Sequence, residues 1–200
     1  MKPLSPVFTL VFLLLSGCAA MTMQEAAEQT PPPVTPEKAL LVFLRPPLAG
    51  NDSPVSVYDV TSGNPFFIGM LTRNTKVYRL TDPGRRTFMV VAEAADFMQA
   101  ELAAGKTFYG LVTPAMEAGK ARFPLQPVKN DPASEFNTAS GDFARWLASA
   151  KLVQTTPAAE QWAWDNNADV LEKYHESWPK WLGKTLAEKE RLTLHPADGR

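Results

Sequence analysis

The segment Ala39-Leu40-Leu41-Val42-Phe43-Leu44-Arg45 decides the fold class of this chain. It is a short run rich in Leu, Val and Phe, and residues that turn the chain follow it, a pattern that predicts a β-strand. Further runs of the same kind occur downstream. The predicted strands, eight as an upper estimate, are 39–45, 55–60, 66–71, 76–80, 86–93, 97–102, 107–113 and 121–127.

Turn-forming residues such as Asp82-Pro83-Gly84 separate these runs. A strand spacing of about 8 to 12 residues predicts an antiparallel sandwich or barrel. Val55 and Val57 alternate with Ser56 and Tyr58, the pattern expected of a strand with one buried face. Pro124 indicates that the last run is an edge strand, because proline cannot donate to the hydrogen-bond ladder.

The order of these segments resembles a known bacterial family. Residues 39–45, 55–59, 68–71, 83–84 and 104–109 are similar to the "domain of unknown function" family numbered 2846. The resemblance covers about residues 38 to 128. It implies a small β-sandwich module of the kind found in exported proteins and lipoproteins, and it supplies no catalytic residues.

After a polar segment at 129–139 the periodicity changes to that of helices. Ser140 is a candidate cap for a first helix, and Thr156 followed by Pro157 for a second. The second helix would bury one stripe, namely Trp164, Ala168, Leu171 and Tyr174 or His175. Pro179 should break that helix, and a third would follow it. The sequence therefore predicts a mainly β protein with an α-helical C-terminal extension: an antiparallel β-sandwich of about seven or eight strands, followed by two or three helices.

The N-terminus predicts where the protein works. Lys2, an apolar run and Leu15-Ser16-Gly17-Cys18 resemble the export signal and lipobox of bacterial lipoproteins. The resemblance implies cleavage before Cys18 and attachment of lipid to its thiol. Ala19 follows in place of the aspartate that retains lipoproteins at the inner membrane of enteric-type bacteria, so we expect the outer membrane, facing the periplasm.

These signals divide the chain into six parts. They are a signal peptide at 1–17, a flexible Pro-rich tether at 18–37, a β-sandwich domain at 38–128, a linker at 129–139, a helical extension at 140–191 and a tail without regular structure at 192–200. The tether would act as a spacer of about 3 Å per residue between membrane and folded domain.

Composition restricts the partners. Twenty basic and 21 acidic residues leave a formal net charge of −1, which gives no electrostatic case for nucleic acid. Cys18 is the only cysteine, so after lipidation no thiol remains for a disulfide or a metal. We expect the lipid on Cys18 to hold the chain at a membrane, with an envelope protein as partner and no cofactor.

Five tryptophans are the main candidates for a binding surface. Aromatic residues at helical spacing usually form a core, which is the plain interpretation of Trp146 and the others. The functional alternative is an exposed surface for a protein, glycan or lipid interface, and it assigns binding to Trp162, Trp164, Trp178 and Trp181. Trp162 and Trp164 cannot face the same way on one helix, so we expect one of them to be exposed.

No catalytic or metal-binding residue is assigned. His175-Glu176 lacks the second histidine that the zinc-protease pattern requires, since Pro179 occupies that position. A cluster of cations at Arg73, Lys76, Arg79, Arg85 and Arg86 is interpreted as edge and turn charges, with a phosphate or acidic partner as the alternative. The sequence favours a non-enzymatic binding or structural module.

Two alternatives remain open. One is an envelope hydrolase or glycan-processing enzyme, with a site between sandwich and helices that uses His175 with Glu172 or Glu176. The other is carbohydrate or peptidoglycan binding through exposed tryptophans.

Overall fold

The computed structural model describes residues 23–50, 52–117 and 119–200. The predicted signal peptide and Cys18 lie outside the described residues. Within the described ranges, no helix has both the length and the apolar character needed to cross a membrane.

The described chain is mainly β, with its helices toward the C-terminus, which confirms the predicted fold class. Its strands are β1 (Gln24–Glu25), β2 (Ala39–Arg45), β3 (Val55–Asp59), β4 (Phe66–Leu71), β5 (Thr75–Thr81), β6 (Gly84–Val91), β7 (Ala95–Leu102), β8 (Thr107–Val112), β9 (Ala115–Glu117), β10 (Lys120–Arg122), β11 (Leu125–Val128), β12 (Lys151–Gln154) and β13 (Thr193–Leu194). The α-helices are α1 (Gly141–Ser149), α2 (Pro157–Asp165), α3 (Asn167–Leu182) and α4 (Leu186–Arg191), and a 3₁₀ helix spans Pro196–Asp198.

Two sheets form the sandwich. The first has the order β1-β12-β5-β2-β8-β11 and the second the order β13-β7-β6-β3-β4, while β9 and β10 form a separate hairpin. Leu41 and Phe43 of the first sheet share one buried cluster with Val57 and Phe88 of the second. The rings of Phe43 and Phe88 meet edge to face with centroids 5.2 Å apart. The core thus lies between the sheets.

The sheets are mixed and not purely antiparallel as the sequence suggested. β2 pairs with β8 in parallel, as do β12 with β5 and β13 with β7. Between β2 and β8 the chain forms the hairpins β3–β4 and β6–β7 of the second sheet and, between them, β5 of the first sheet, which is antiparallel to β2. The strands β12 and β13 come from the C-terminal region and add to existing edges. Strand spacing along the chain carries no information about such long-range pairings.

Helices cover the outer faces of both sheets. Val170, Tyr174 and Trp181 of α3 form a buried cluster with Met89 and Phe97 of the second sheet. On the first sheet, Phe143 of α1 packs against Leu44, Leu111 and Val128. The fold is therefore layered as helix, sheet, sheet, helix.

This cover explains why the prediction of one exposed face on β3 is wrong. Ser56 and Tyr58, which alternate with the core residues Val55 and Val57, are each only 3% exposed. Polar/apolar alternation identifies two faces, but it cannot show that a helix from elsewhere in the chain covers the second one.

The predicted strands otherwise agree closely with those observed. The bounds of β2 and β4 are the predicted ones, whereas the run at 121–127 divides into β10 and β11 on either side of Phe123 and Pro124. The edge position expected for this run is confirmed, because β11 ends the first sheet.

The helix caps are confirmed, but the predicted break is misplaced. The side chains of Ser140 and Thr156 accept hydrogen bonds from the amides of Phe143 and Ala159, both 3.1 Å long. The break falls at Asn166, whose side-chain amide donates to the Trp162 carbonyl (2.8 Å). Pro179 lies inside α3, near its end, where the helix continues to Leu182.

The break at Asn166 also changes which stripe is buried. The buried residues of α3 are Val170, Tyr174, Ser177 and Trp181. Trp164 and Ala168, which were predicted to belong to the buried stripe, are exposed. That prediction requires one continuous helix, whereas α2 ends at Asp165 and α3 begins at Asn167.

Part of the predicted tether is bound to the folded domain. β1 pairs with β12 through Gln24 and Glu25, and the Ala26 amide donates to the Leu152 carbonyl (2.8 Å). The Gln29 side chain accepts a bond from the Leu152 amide (2.8 Å). The prediction of a flexible segment over 18–37 is thus wrong for residues 23–29, because the open edge of β12 supplies them with backbone partners.

The predicted tail at 192–200 is also ordered into the fold. Leu194 in β13 is fully buried, and Thr107 and Arg200 exchange two backbone hydrogen bonds (2.8 and 3.0 Å). The Asp198 carboxylate accepts from the amides of Asn130 (2.9 Å) and His195 (2.7 Å). Gly199 is required there, since a Cβ would lie 2.5 Å from Cζ of Phe108.

Replacement of Leu194 tests the role of this C-terminal segment. We expect Leu194→Ala to lower the free energy of unfolding by about 2–5 kcal/mol, because it leaves a cavity in the core. Denaturant unfolding of the full chain measures it. Leu186→Ala is the matched control: Leu186 is 88% exposed, so its loss should change the free energy by no more than about 0.5 kcal/mol. Equal effects of the two substitutions would contradict the assignment.

Candidate functional site

An aromatic groove of about 720 Å³ lies where β4, β5 and α2 meet. Its rim carries Phe66, Tyr78 and Trp164, which are 52%, 37% and 79% exposed. These are three of the six large apolar side chains that are exposed in the described part of the chain. Such convergence of exposed aromatic residues distinguishes a binding surface from scattered apolar residues.

The topology creates this groove. β4 ends the second sheet and β5 belongs to the first, so two strands consecutive in sequence form the walls of a cleft between the sheets. On its outer side β5 pairs with β12 only at Thr75 and Lys76, and within the described residues the rest of that edge has no strand partner. α2 lies over the cleft, where the ring of Trp162 packs on that of Phe67 with centroids 6.4 Å apart.

A cation orders the rim. The Arg79 guanidinium carbon lies 4.2 Å from the ring centroid of Phe66, a cation–π contact that limits the motion of both side chains. Glu160, also in the lining, carries the opposite charge. The groove thus combines aromatic faces with a formally neutral pair of charges.

Tyr58 contributes a buried phenol to the lining. Burial raises the pKa of Tyr58 to about 12, outweighing the opposite effect of the nearby Ser56 hydroxyl. Its hydroxyl has no hydrogen-bond partner among the described residues. Tyr58 therefore stays neutral at physiological pH and adds an apolar ring to the groove.

The structure separates the four tryptophans assigned to binding. Trp181 is 2% exposed and Trp178 is half-buried, stacked on Tyr174 with centroids 5.4 Å apart. Trp162 is half-buried and contacts the sheet, as described above. Only Trp164 of the four is exposed. The assignment of Trp181 to binding is wrong, because the outer face of the second sheet requires its side chain as cover.

Helical spacing correctly indicated that Trp162 and Trp164 point in different directions. Sequence reasoning missed Phe66 and Tyr78, which lie on two strands of different sheets. Each occurs in an ordinary strand pattern, and only the tertiary structure brings them beside Trp164. Trp146, the fifth tryptophan, is half-buried and packs against the cluster of Leu44, Leu111, Val128 and Phe143.

The predicted basic cluster does not form one patch. Arg73 pairs with Asp52 (2.6 Å), and Arg86 approaches Asp59 and Asp82 (both 4.0 Å). Lys76 is buried and donates to the Leu147 carbonyl (2.8 Å), and desolvation lowers its pKa. Arg73, Lys76 and Arg86 thus have partners within the fold, and the burial of Lys76 departs from the interpretation of the cluster as edge and turn charges.

A second cavity, of about 680 Å³, lies between the sandwich and α3. Asp96, Ser177, Lys180 and Lys184 are among its polar lining residues. Burial raises the pKa of Asp96, although its carboxylate accepts a hydrogen bond from the Leu125 amide (2.9 Å). This bond ties β7 to β11, so Asp96 has a structural task.

The residues that sequence analysis proposed for a hydrolase lie elsewhere. His175, Glu172 and Glu176 are all exposed and do not line this cavity. The structure therefore does not place these three side chains in the cavity between sandwich and helices. Among the described residues no group of three or more His, Cys, Asp or Glu side chains is placed to hold a metal ion.

Comparison with known proteins does not assign the chain to a family. No protein-family model matches the chain, and no curated protein shows significant sequence similarity to it. Among solved structures, a "putative cell adhesion protein" from Bacteroides ovatus matches with a TM-score of 0.21 and 15% identity, over 44% of this chain and 42% of that one. A similarity this low supports no argument, and the resemblance to family 2846 stays an expectation.

Asp96 supplies a pH test of the second cavity. Its pKa is higher in the folded than in the unfolded chain, so ionisation costs stability as pH rises. We expect Asp96→Asn to gain stability relative to the native chain between about pH 3, below the unfolded pKa, and pH 7. Denaturant unfolding at several pH values measures this difference.

Asp82→Asn is the control of opposite sign. A hydrogen bond and ion pair with Lys38 (2.7 Å) lower the pKa of exposed Asp82, so its contribution is present at pH 7 and lost as pH falls. The free energy of unfolding of the native chain should therefore increase relative to that of Asp82→Asn as pH rises. The same trend in both variants would contradict the burial of Asp96.

Proposed function

We infer that this protein is a lipid-anchored, non-enzymatic module of the bacterial cell envelope that binds through its aromatic groove. The observation that carries the binding role is the convergence of Phe66, Tyr78 and Trp164 on one groove. Their rings are exposed at a site where neither sheet nor helix needs them as cover. Retaining large exposed aromatic side chains together costs solubility, which a binding function offsets.

The lipobox supports the anchoring part of the proposal. Cys18 follows Leu15-Ser16-Gly17, and lipid on its thiol would hold the protein at a membrane without a spanning helix. Ala19 favours the outer membrane, with the folded part in the periplasm. The near-neutral formal charge agrees with attachment by lipid and not by electrostatic attraction.

A glycan is one candidate ligand for the aromatic groove. Aromatic faces next to the side-chain amides of Asn64 and Asn167, which also line the groove, are chemically suited to sugar rings. Titration with soluble peptidoglycan fragments, followed by tryptophan fluorescence, tests this candidate. Saturable changes that Trp164→Ala abolishes would support it, whereas the absence of any change would exclude it.

Site-specific photocrosslinking tests the binding role of the groove. A photoreactive amino acid at position 164 of the full-length protein in intact cells should give adducts of discrete mass. The control is the same amino acid at position 186, where Leu186 is even more exposed but lies outside the groove. Adducts at 164 and not at 186 are expected. Equal yields at both positions would contradict a specific contact.

A further inference from the structure

The described chain begins beside the aromatic groove. A Cβ built on Gly69 would lie 2.9 Å from Met23 Cε and 3.0 Å from Val77 Cγ1, so the Met23 side chain fills the space between β4 and β5. Met23 packs against the core between the sheets. The residue after it, Gln24, pairs with Gln154 of β12, and Thr155, which follows Gln154, lines the groove.

The covalent chain then limits the distance to the lipid. Cys18 precedes Met23 by five residues, which span at most about 18 Å when fully extended. A free tether over 18–37 would instead reach about 60 Å at about 3.1 Å per residue. Because β1 is fixed to β12, a lipid on Cys18 keeps Met23, and the β4–β5 side next to it, within about 18 Å of the membrane surface.

The chemistry of the rim suits that surface. Trp and Tyr are enriched at membrane–water interfaces, where an apolar ring and a polar edge meet hydrocarbon and water together. Trp164 and Tyr78 supply such side chains, and Phe66 adds a wholly apolar ring. The charges of Arg79 and Glu160 cancel formally, so the contact requires no anionic lipid.

We propose that the groove rim of Phe66, Tyr78 and Trp164 docks on the lipid headgroup region of the membrane that holds the Cys18 anchor. The proposal rests on the lipid anchoring described under the proposed function, and it names the partner of the same groove. The anchor and the rim together fix one orientation of the sandwich, in which the β4–β5 side faces the bilayer.

The single native cysteine makes a direct test feasible. Lipidation occupies the Cys18 thiol, so an introduced cysteine is the only free thiol for a fluorescent label. Trp164→Cys and Phe66→Cys place a label on the rim, and Leu186→Cys places one on α4, beside β6 and β7 and outside the groove. All three native side chains are exposed, so the variants should fold, which circular dichroism verifies.

The labelled, lipidated proteins are reconstituted in phosphatidylcholine vesicles with and without a nitroxide on the lipid headgroup, which quenches at short range. The labels at 164 and 66 should lose emission in the nitroxide vesicles, whereas the label at 186 should keep it. Raising the salt concentration should not restore emission, because the contact depends on aromatic rings and not on charge.

The outcomes separate this inference from the proposed function. Chains that are anchored in vesicles but show no quenching at 164 and 66, or equal quenching at all three positions, would overturn the docking surface and leave anchoring intact. Recovery of the protein from cells without lipid, or equal partitioning of the native chain and Cys18→Ala into the soluble fraction, would instead refute the anchoring itself.

Discussion

The packing of α3 on Phe97 is the interaction on which the rest of the structure depends. The Phe97 ring contacts Tyr174, Trp178 and Trp181, with centroids 5.9, 5.2 and 5.9 Å away. This aromatic cluster covers the outer face of the second sheet, which would otherwise expose Tyr58 and Met89. α2, which carries Trp164, has its own contact with the second sheet, between Trp162 and Phe67.

Much of the fold could be predicted because its main signals are local. The bounds of β2 and β4 follow from short apolar runs between turn residues, and the caps at Ser140 and Thr156 follow from side-chain chemistry. The short strands β1, β12 and β13 could not be predicted. They contain two to four residues each, and their structure comes from the sheet edges they join. A segment without its own pattern adopts the conformation that an open edge imposes.

The groove was less predictable than the fold for a related reason. Helical spacing showed that Trp162 and Trp164 face different ways, but it placed Trp164 in the buried stripe, and Phe66 and Tyr78 have no signal of this kind. Their exposure depends on where β4 leaves the second sheet and where β12 stops pairing with β5. A binding surface assembled from several elements is defined by tertiary structure. Residues that fit an ordinary strand or helix pattern cannot be recognised as part of it from the sequence.

The N-terminal segment links the fold to the proposed location. Its prolines suggested a long spacer, yet residues 23–29 bind β12 and leave a short covalent connection to Cys18. The central claim is therefore that the sandwich rests against the membrane and does not stand away from it. Neutron reflectometry of the lipidated protein on a supported bilayer measures this directly. The account predicts protein density continuous with the headgroups, whereas a hydrated gap approaching the roughly 60 Å of a free tether would contradict it.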